Sequence, residues 1–147
     1  MRWILCVTML AALGFAPAPV YRPKAGEKDV DLLQGKWLFV SSEDDGMPAK
    51  HEKGDCIVVQ GSDFELHPKG GPPVRYRVVL DETKQGRTLE LREVGQPDSE
   101  KKSYRGFYKL TGDELIFCIG SSRDEAAASI EGGKGMERYV LKRSPKP

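Results

Sequence analysis

From about residue 37 to residue 143, apolar and polar side chains alternate with a period of two, interrupted every few residues by Gly, Asp or Ser. That period belongs to strands with one face buried, and the interruptions mark turns. Trp37, Phe39 and Ser41 fall on one face of a first strand, with Leu38 and Val40 on the other. Residues 42–55 read as a polar loop. Residues 56–60 and 64–67 pair across a tight Gly61-Ser62-Asp63 turn. Val74, Tyr76, Val78 and Leu80 then alternate with Arg75 and Arg77, and in 88–94 Leu89 and Leu91 alternate with Glu90 and Arg92. Residues 104–110 and 114–119 form a hairpin about Thr111-Gly112-Asp113. A last strand runs over 136–143. Ahead of them, 29–34 reads as one helical turn, capped by Asp29 and ended by Gly35 in the left-handed conformation. No span has the pattern of a long amphipathic helix. About eight strands with short links predict an all-β protein, a single up-and-down antiparallel barrel with a short N-terminal helical turn.

The first residues follow a different pattern. Arg2 precedes an uncharged apolar run, Trp3 to Leu13, and then the small, helix-breaking Gly14-Phe15-Ala16-Pro17-Ala18. This three-part layout is that of a secretory signal peptide. The run is shorter than the roughly 20 residues that span a bilayer. The alternatives are an uncleaved anchor and a buried core segment. Residues 1–16 are therefore assigned to the signal, with cleavage between 14 and 20. Residues 17–28 form a flexible leader, 29–143 the barrel and 144–147 a tail. Export to the periplasm or the extracellular space follows, with no stable membrane span after processing.

Loss of residues 1–16 removes Arg2 and no acid, leaving 22 of the 23 basic side chains against 22 acidic ones. Basic residues are scattered among acids, without the excess or stripe that nucleic acid or an anionic membrane requires. Hydrophobic residues make up 39% of the chain, enough for one folded domain rather than a disordered segment. Of three cysteines, Cys56 and Cys118 survive processing. In a sequential meander three other strands separate theirs, so two buried thiols without a bridge are expected.

Two motifs bracket the domain: Leu32-Leu33-Gln34-Gly35-Lys36-Trp37 at its start and Tyr139-Val140-Leu141-Lys142-Arg143 at its end. Between them stand Asp45-Gly46 and the hairpin from Gly106-Phe107-Tyr108 to Ile116-Phe117-Cys118. In order and spacing the chain resembles a family of small exported proteins, abundant in planctomycete bacteria, whose domain is a lipocalin-like (calycin) barrel. The resemblance covers residues 29–143. It departs from the family over 121–135, which lacks the usual Arg-Pro and Phe. It implies a fold and a compartment, because the family carries no settled activity. It also implies that Gly35, Trp37 and Arg143 form a structural floor, with the Arg143 guanidinium against the indole.

The candidate binding residues are those expected inside the barrel: Tyr76, Val78, Leu89, Leu91, Tyr108 and Phe117, with Leu115 beside them. The same residues, or their opposite partners on some strands, could equally fill the core. Glu43-Asp44-Asp45 lacks the alternate-residue spacing of a calcium loop. Gly132-Gly133-Lys134-Gly135 lacks the spacing of a phosphate loop and reads as a flexible link. His51 and His67 lie near loops without a nucleophile in reach. No pattern calls for a metal, a cofactor or a catalytic group. Three functions remain in order: a non-catalytic, monomeric binding domain for a small apolar ligand or an envelope protein; a structural or interaction module with a filled core; and a small hydrolase or isomerase.

Overall fold

The computed structural model describes residues 28–50, 54–82, 87–95, 97, 102–122 and 125–145. The expected signal segment, all of the leader but Lys28, and His51 lie outside the described residues. One turn of helix, α1 (Asp29–Leu32), leads into nine strands. They are β1 (Gly35–Asp44), β2 (Met47–Ala49), β3 (Cys56–Gln60), β4 (Asp63–His67), β5 (Val74–Asp81), β6 (Thr88–Glu93), β7 (Ser103–Thr111), β8 (Glu114–Gly120) and β9 (Met136–Arg143). From β3 to β9 each strand pairs antiparallel with the next, and β1 pairs with both β3 and β9. The result is a closed, up-and-down barrel of eight strands, β1 and β3–β9. Closure leaves the barrel no free edge.

Two features of β1 differ from the sequence expectation. The strand runs on to Asp44, and Asp45-Gly46 turns it into β2, so Ser42–Ala49 is a hairpin rather than a polar loop. A register shift also falls between Phe39 and Ser41 against β9. A bulge of this kind adds one residue to one strand and inverts the facing beyond it. Trp37 and Phe39 point inward, Val40 is half exposed, and Ser42, not Ser41, is the next buried residue.

Inward positions elsewhere follow strict alternation. The most deeply buried inward side chains are Trp37, Ile57, Val59 and Leu141, which come from three adjacent strands. Cys56 and Cys118 are both buried free thiols. Each has inward-facing core residues beside it in sequence, which puts both on the outer side of the wall. Only β1 and β9 separate their strands by the short way round, not three strands. The outer side of β7 and β8 is covered by part of the 121–135 segment. Ala127 N–H donates to Arg105 O at 3.0 Å, and Arg138 Nε donates to Ile130 O at 3.2 Å. Gly135 N–H donates to the Asp45 carboxylate at 2.5 Å. The expected flexible link at 132–135 is thus flanked by a bond from β9 to Ile130 and ends in a bond from Gly135 to the β1–β2 turn.

α1 closes one end. Trp37 Nε1 donates to Leu33 O at 2.8 Å, and the Arg143 guanidinium lies 4.2 Å from the indole centroid. Arg143 also donates to Gln34 O and Leu32 O, each at 2.6 Å, and pairs with Asp113 at 3.1 Å. Gly35, with φ of +115°, lets the chain leave α1 beneath this side chain; a Cβ there would lie 3.6 Å from Arg143 Nη1. Asp29 does not cap the helix. Lys28 precedes the first turn, and the buried Asp29 carboxylate accepts from the Tyr108 hydroxyl at 2.7 Å and pairs with Arg87 at 3.0 Å.

Candidate ligand-binding site

The side chains at the α1 end are large enough to fill the barrel, and those toward the other end are not. A cavity of about 210 Å³ remains in the open half, away from α1. Alternation explains its walls. Phe39 is the last inward residue of β1 before the bulge, and Leu66, Tyr76, Tyr104 and Ile119 are inward residues close to the open ends of their strands. Aromatic rings dominate. Phe117 packs edge-on against Phe64 with centroids 5.9 Å apart, and tilts over Tyr139 at 4.8 Å. Tyr139 meets Phe39 edge-on at 5.8 Å, and Tyr76 meets Tyr104 edge-on at 6.1 Å. Edge-to-face pairs at such distances are favourable beyond their buried area and hold the walls in place.

The polar groups sit among the tyrosines. The Tyr139 hydroxyl donates to the Glu137 carboxylate, the one carboxylate among the described residues that line the cavity. Burial pushes the Tyr76 hydroxyl up to about 12, with Tyr104, Glu93 and Glu137 adding to the shift. The Tyr139 hydroxyl is raised as well, first by burial and then by its bond to Glu137 and the nearby Asp44 charge. Both phenols therefore stay neutral at physiological pH, as hydrogen-bonding groups on an apolar wall.

Of the candidate residues, Tyr76, Leu91 and Phe117 line the cavity. Val78, Leu89, Tyr108 and Leu115 are buried in the filled half nearer α1 and do not reach it. Gly35, Trp37 and Arg143 stand together at the closed end. Tyr104, Glu137 and Tyr139 also line the cavity and were not among the candidates. Their signal was parity. Tyr104 shares a face with Tyr108 on β7, and Glu137 and Tyr139 share one with Leu141 on β9. Polar character at the strand ends hid them.

Other polar clusters lie away from this site. His67 pairs with Glu65 at 3.2 Å on the outer face of β4. Glu90 takes bonds from Arg92 at 2.8 Å and Ser103 at 2.7 Å, which lower its carboxyl to about 2. Among the described residues no group of three or more His, Cys, Asp or Glu is placed to hold a metal ion. Comparison with protein-family models, with curated proteins and with solved structures returns no match.

Proposed function

We propose that this chain is an exported, lipocalin-like binding domain that holds a small hydrophobic molecule in the open half of its barrel and does no chemistry on it. The observation that carries this reading is the apolar cavity of about 210 Å³ between Phe39, Leu66, Leu91, Phe117 and Ile119. Its size selects the ligand class. A dry cavity of about 150 Å³ lined by Leu, Ile and Phe binds benzene. A site modestly larger takes a single ring with a short substituent. A long acyl chain or a fused polycycle needs more of the several hundred Å³ found in drug-sized pockets.

Export and kinship with the planctomycete barrels belong to the same proposal. They are supported by the Arg2-led apolar run and by the motifs at 32–37 and 139–143. N-terminal sequencing of envelope fractions should find a mature chain starting between Phe15 and Val20; an intact Met1 in the cytoplasm would reject export. Ligand binding is tested by saturation-transfer NMR against monocyclic aromatic compounds. Saturable binding that disappears in Leu66→Trp, with the barrel's circular dichroism unchanged, is the expected result. Binding unaffected by filling the cavity would place the ligand elsewhere.

A further inference from the structure

The open half of the barrel carries an electrostatic bias that narrows the ligand further, on the premise that the cavity is a binding site. Six of its lining side chains are aromatic and the ionisable acid among them is Glu137. Among the described residues no Lys or Arg lines it. Two more carboxylates belong to the same rim. Glu93 is the register partner of Tyr76 on β6, and Asp44 is the partner of Glu137 on β1. The charges of Glu93, Glu137 and Asp44 all act on the cavity's tyrosines, in the direction that penalises a second negative charge. The guanidinium groups of neighbouring strands are elsewhere. Arg75 pairs with Glu65, Arg92 with Glu90 and Arg138 with Glu43, all by the alternation that turns them to the outer face. The described lysines at this end, Lys50, Lys69, Lys102 and Lys134, are exposed side chains outside the strands, Lys102 being joined to the rim through its backbone, where its carbonyl accepts from Glu93 N–H at 2.9 Å.

We propose that the cavity binds a small organic ammonium ion, its apolar body among the rings and its nitrogen at the mouth beside Glu137. Ring faces carry negative quadrupole density, so a cation near several of them is attracted most where water is excluded. The Glu137 carboxylate supplies a charged acceptor for an N–H donor. Among the described residues, an anion of the same shape meets three carboxylates and no inward-facing cation. A neutral isostere fills the rings but gains nothing from the charge.

The test uses the full chain and three probes of one shape: 2-phenylethylammonium, 2-phenylethanol and phenylacetate, titrated calorimetrically at low salt. The ammonium ion is expected to bind about tenfold tighter than the alcohol, and phenylacetate not measurably. In Glu137→Gln the ratio of ammonium to alcohol affinity should fall to about twofold or less. Glu93→Gln, which leaves the Tyr139 bond intact, should lower the preference by a smaller factor and serves if the first variant fails to fold. Equal binding of alcohol and ammonium, or tighter binding of phenylacetate, overturns the ammonium assignment and leaves the cavity a binding site. Binding of none of the three overturns the cavity as a site for molecules of this size.

Discussion

Arg143→Ala removes the side chain that ties the last strand to the helical turn under the barrel. Four interactions described above go with it. The two donors to Gln34 O and Leu32 O are charge-assisted bonds of 2.6 Å. Bonds to charged groups contribute about 1.5–3 kcal/mol each. Water reaches this half-buried site and can replace part of that in the variant, so we take about 1 kcal/mol from each. The stacking on Trp37 at 4.2 Å adds about 1 kcal/mol, between the exposed and desolvated limits for a cation on an indole. The pair with the exposed Asp113 adds little, as surface pairs do. The expected loss is about 3 kcal/mol. Trp37→Ala should cost ~3–5 kcal/mol through the cavity it leaves. Because the two side chains touch, the double variant should cost less than the sum by about 1 kcal/mol. Urea unfolding followed by far-UV circular dichroism reads all three, since the fluorescence of Trp37 is lost in two of them. A loss under 0.5 kcal/mol for Arg143→Ala, or strict additivity in the cycle, would refute the reasoning. Arg143→Lys is a useful control: it keeps the charge but lacks the planar fork that spans two carbonyls while stacking.

The remaining predictions concern the tyrosines and the closest strand contact. Tyr76, Tyr108 and Tyr139 are all raised above 10.0, first by burial, so their neutral forms are favoured in the fold. The stability they supply is complete below pH 10 and is lost as pH rises through their folded values. Phenolate absorbance should therefore rise for these three only together with loss of the near-UV dichroic signal; titration near pH 10 in an intact fold would contradict this. Tyr108→Phe leaves the Asp29 carboxylate buried without its hydroxyl donor and should cost about 1–3 kcal/mol in urea unfolding; no measurable loss would mean water replaces the bond. Gly106→Ala would bring a Cβ within 2.7 Å of the Cys118 carbonyl carbon and into its oxygen, so thermal melting should show no stable fold or a deep loss of melting temperature; a melt like that of the parent would show that β7 can move away from β8.

The barrel was legible in the chain because period-two alternation is a local signal and nearly every strand obeys it. Val74 to Leu80, with its Arg75 and Arg77, could be read residue by residue. The β1 hairpin was not. Its residues 42–49 are polar because they rim an open end, and a bulge at Val40 reverses their facing, which no alternation rule anticipates. The binding half was hidden for a related reason. Val78 and Tyr108 are as apolar or aromatic as Tyr76 and Phe117, but they lie a turn of the barrel closer to α1, where Trp37 and Leu141 fill the space. Height along the barrel axis depends on strand stagger, which the hydrophobic pattern does not encode. Asp29 shows the same limit. As a residue before an apolar run it looks like a helix cap, and only the placement of β7 reveals the Tyr108 hydroxyl that takes it instead.

Occupancy of the open half of this barrel by a small molecule is the premise of the proposed function. Isotope-filtered nuclear Overhauser spectra of the labelled full chain with unlabelled 2-phenylethylammonium measure that position directly. Cross-peaks are expected from the ligand ring to the Leu66, Leu91 and Ile119 methyl groups, and none to Val59 or Leu141 in the filled half. Cross-peaks confined to outward residues such as Val79, or no cross-peaks at saturating ligand, would contradict it.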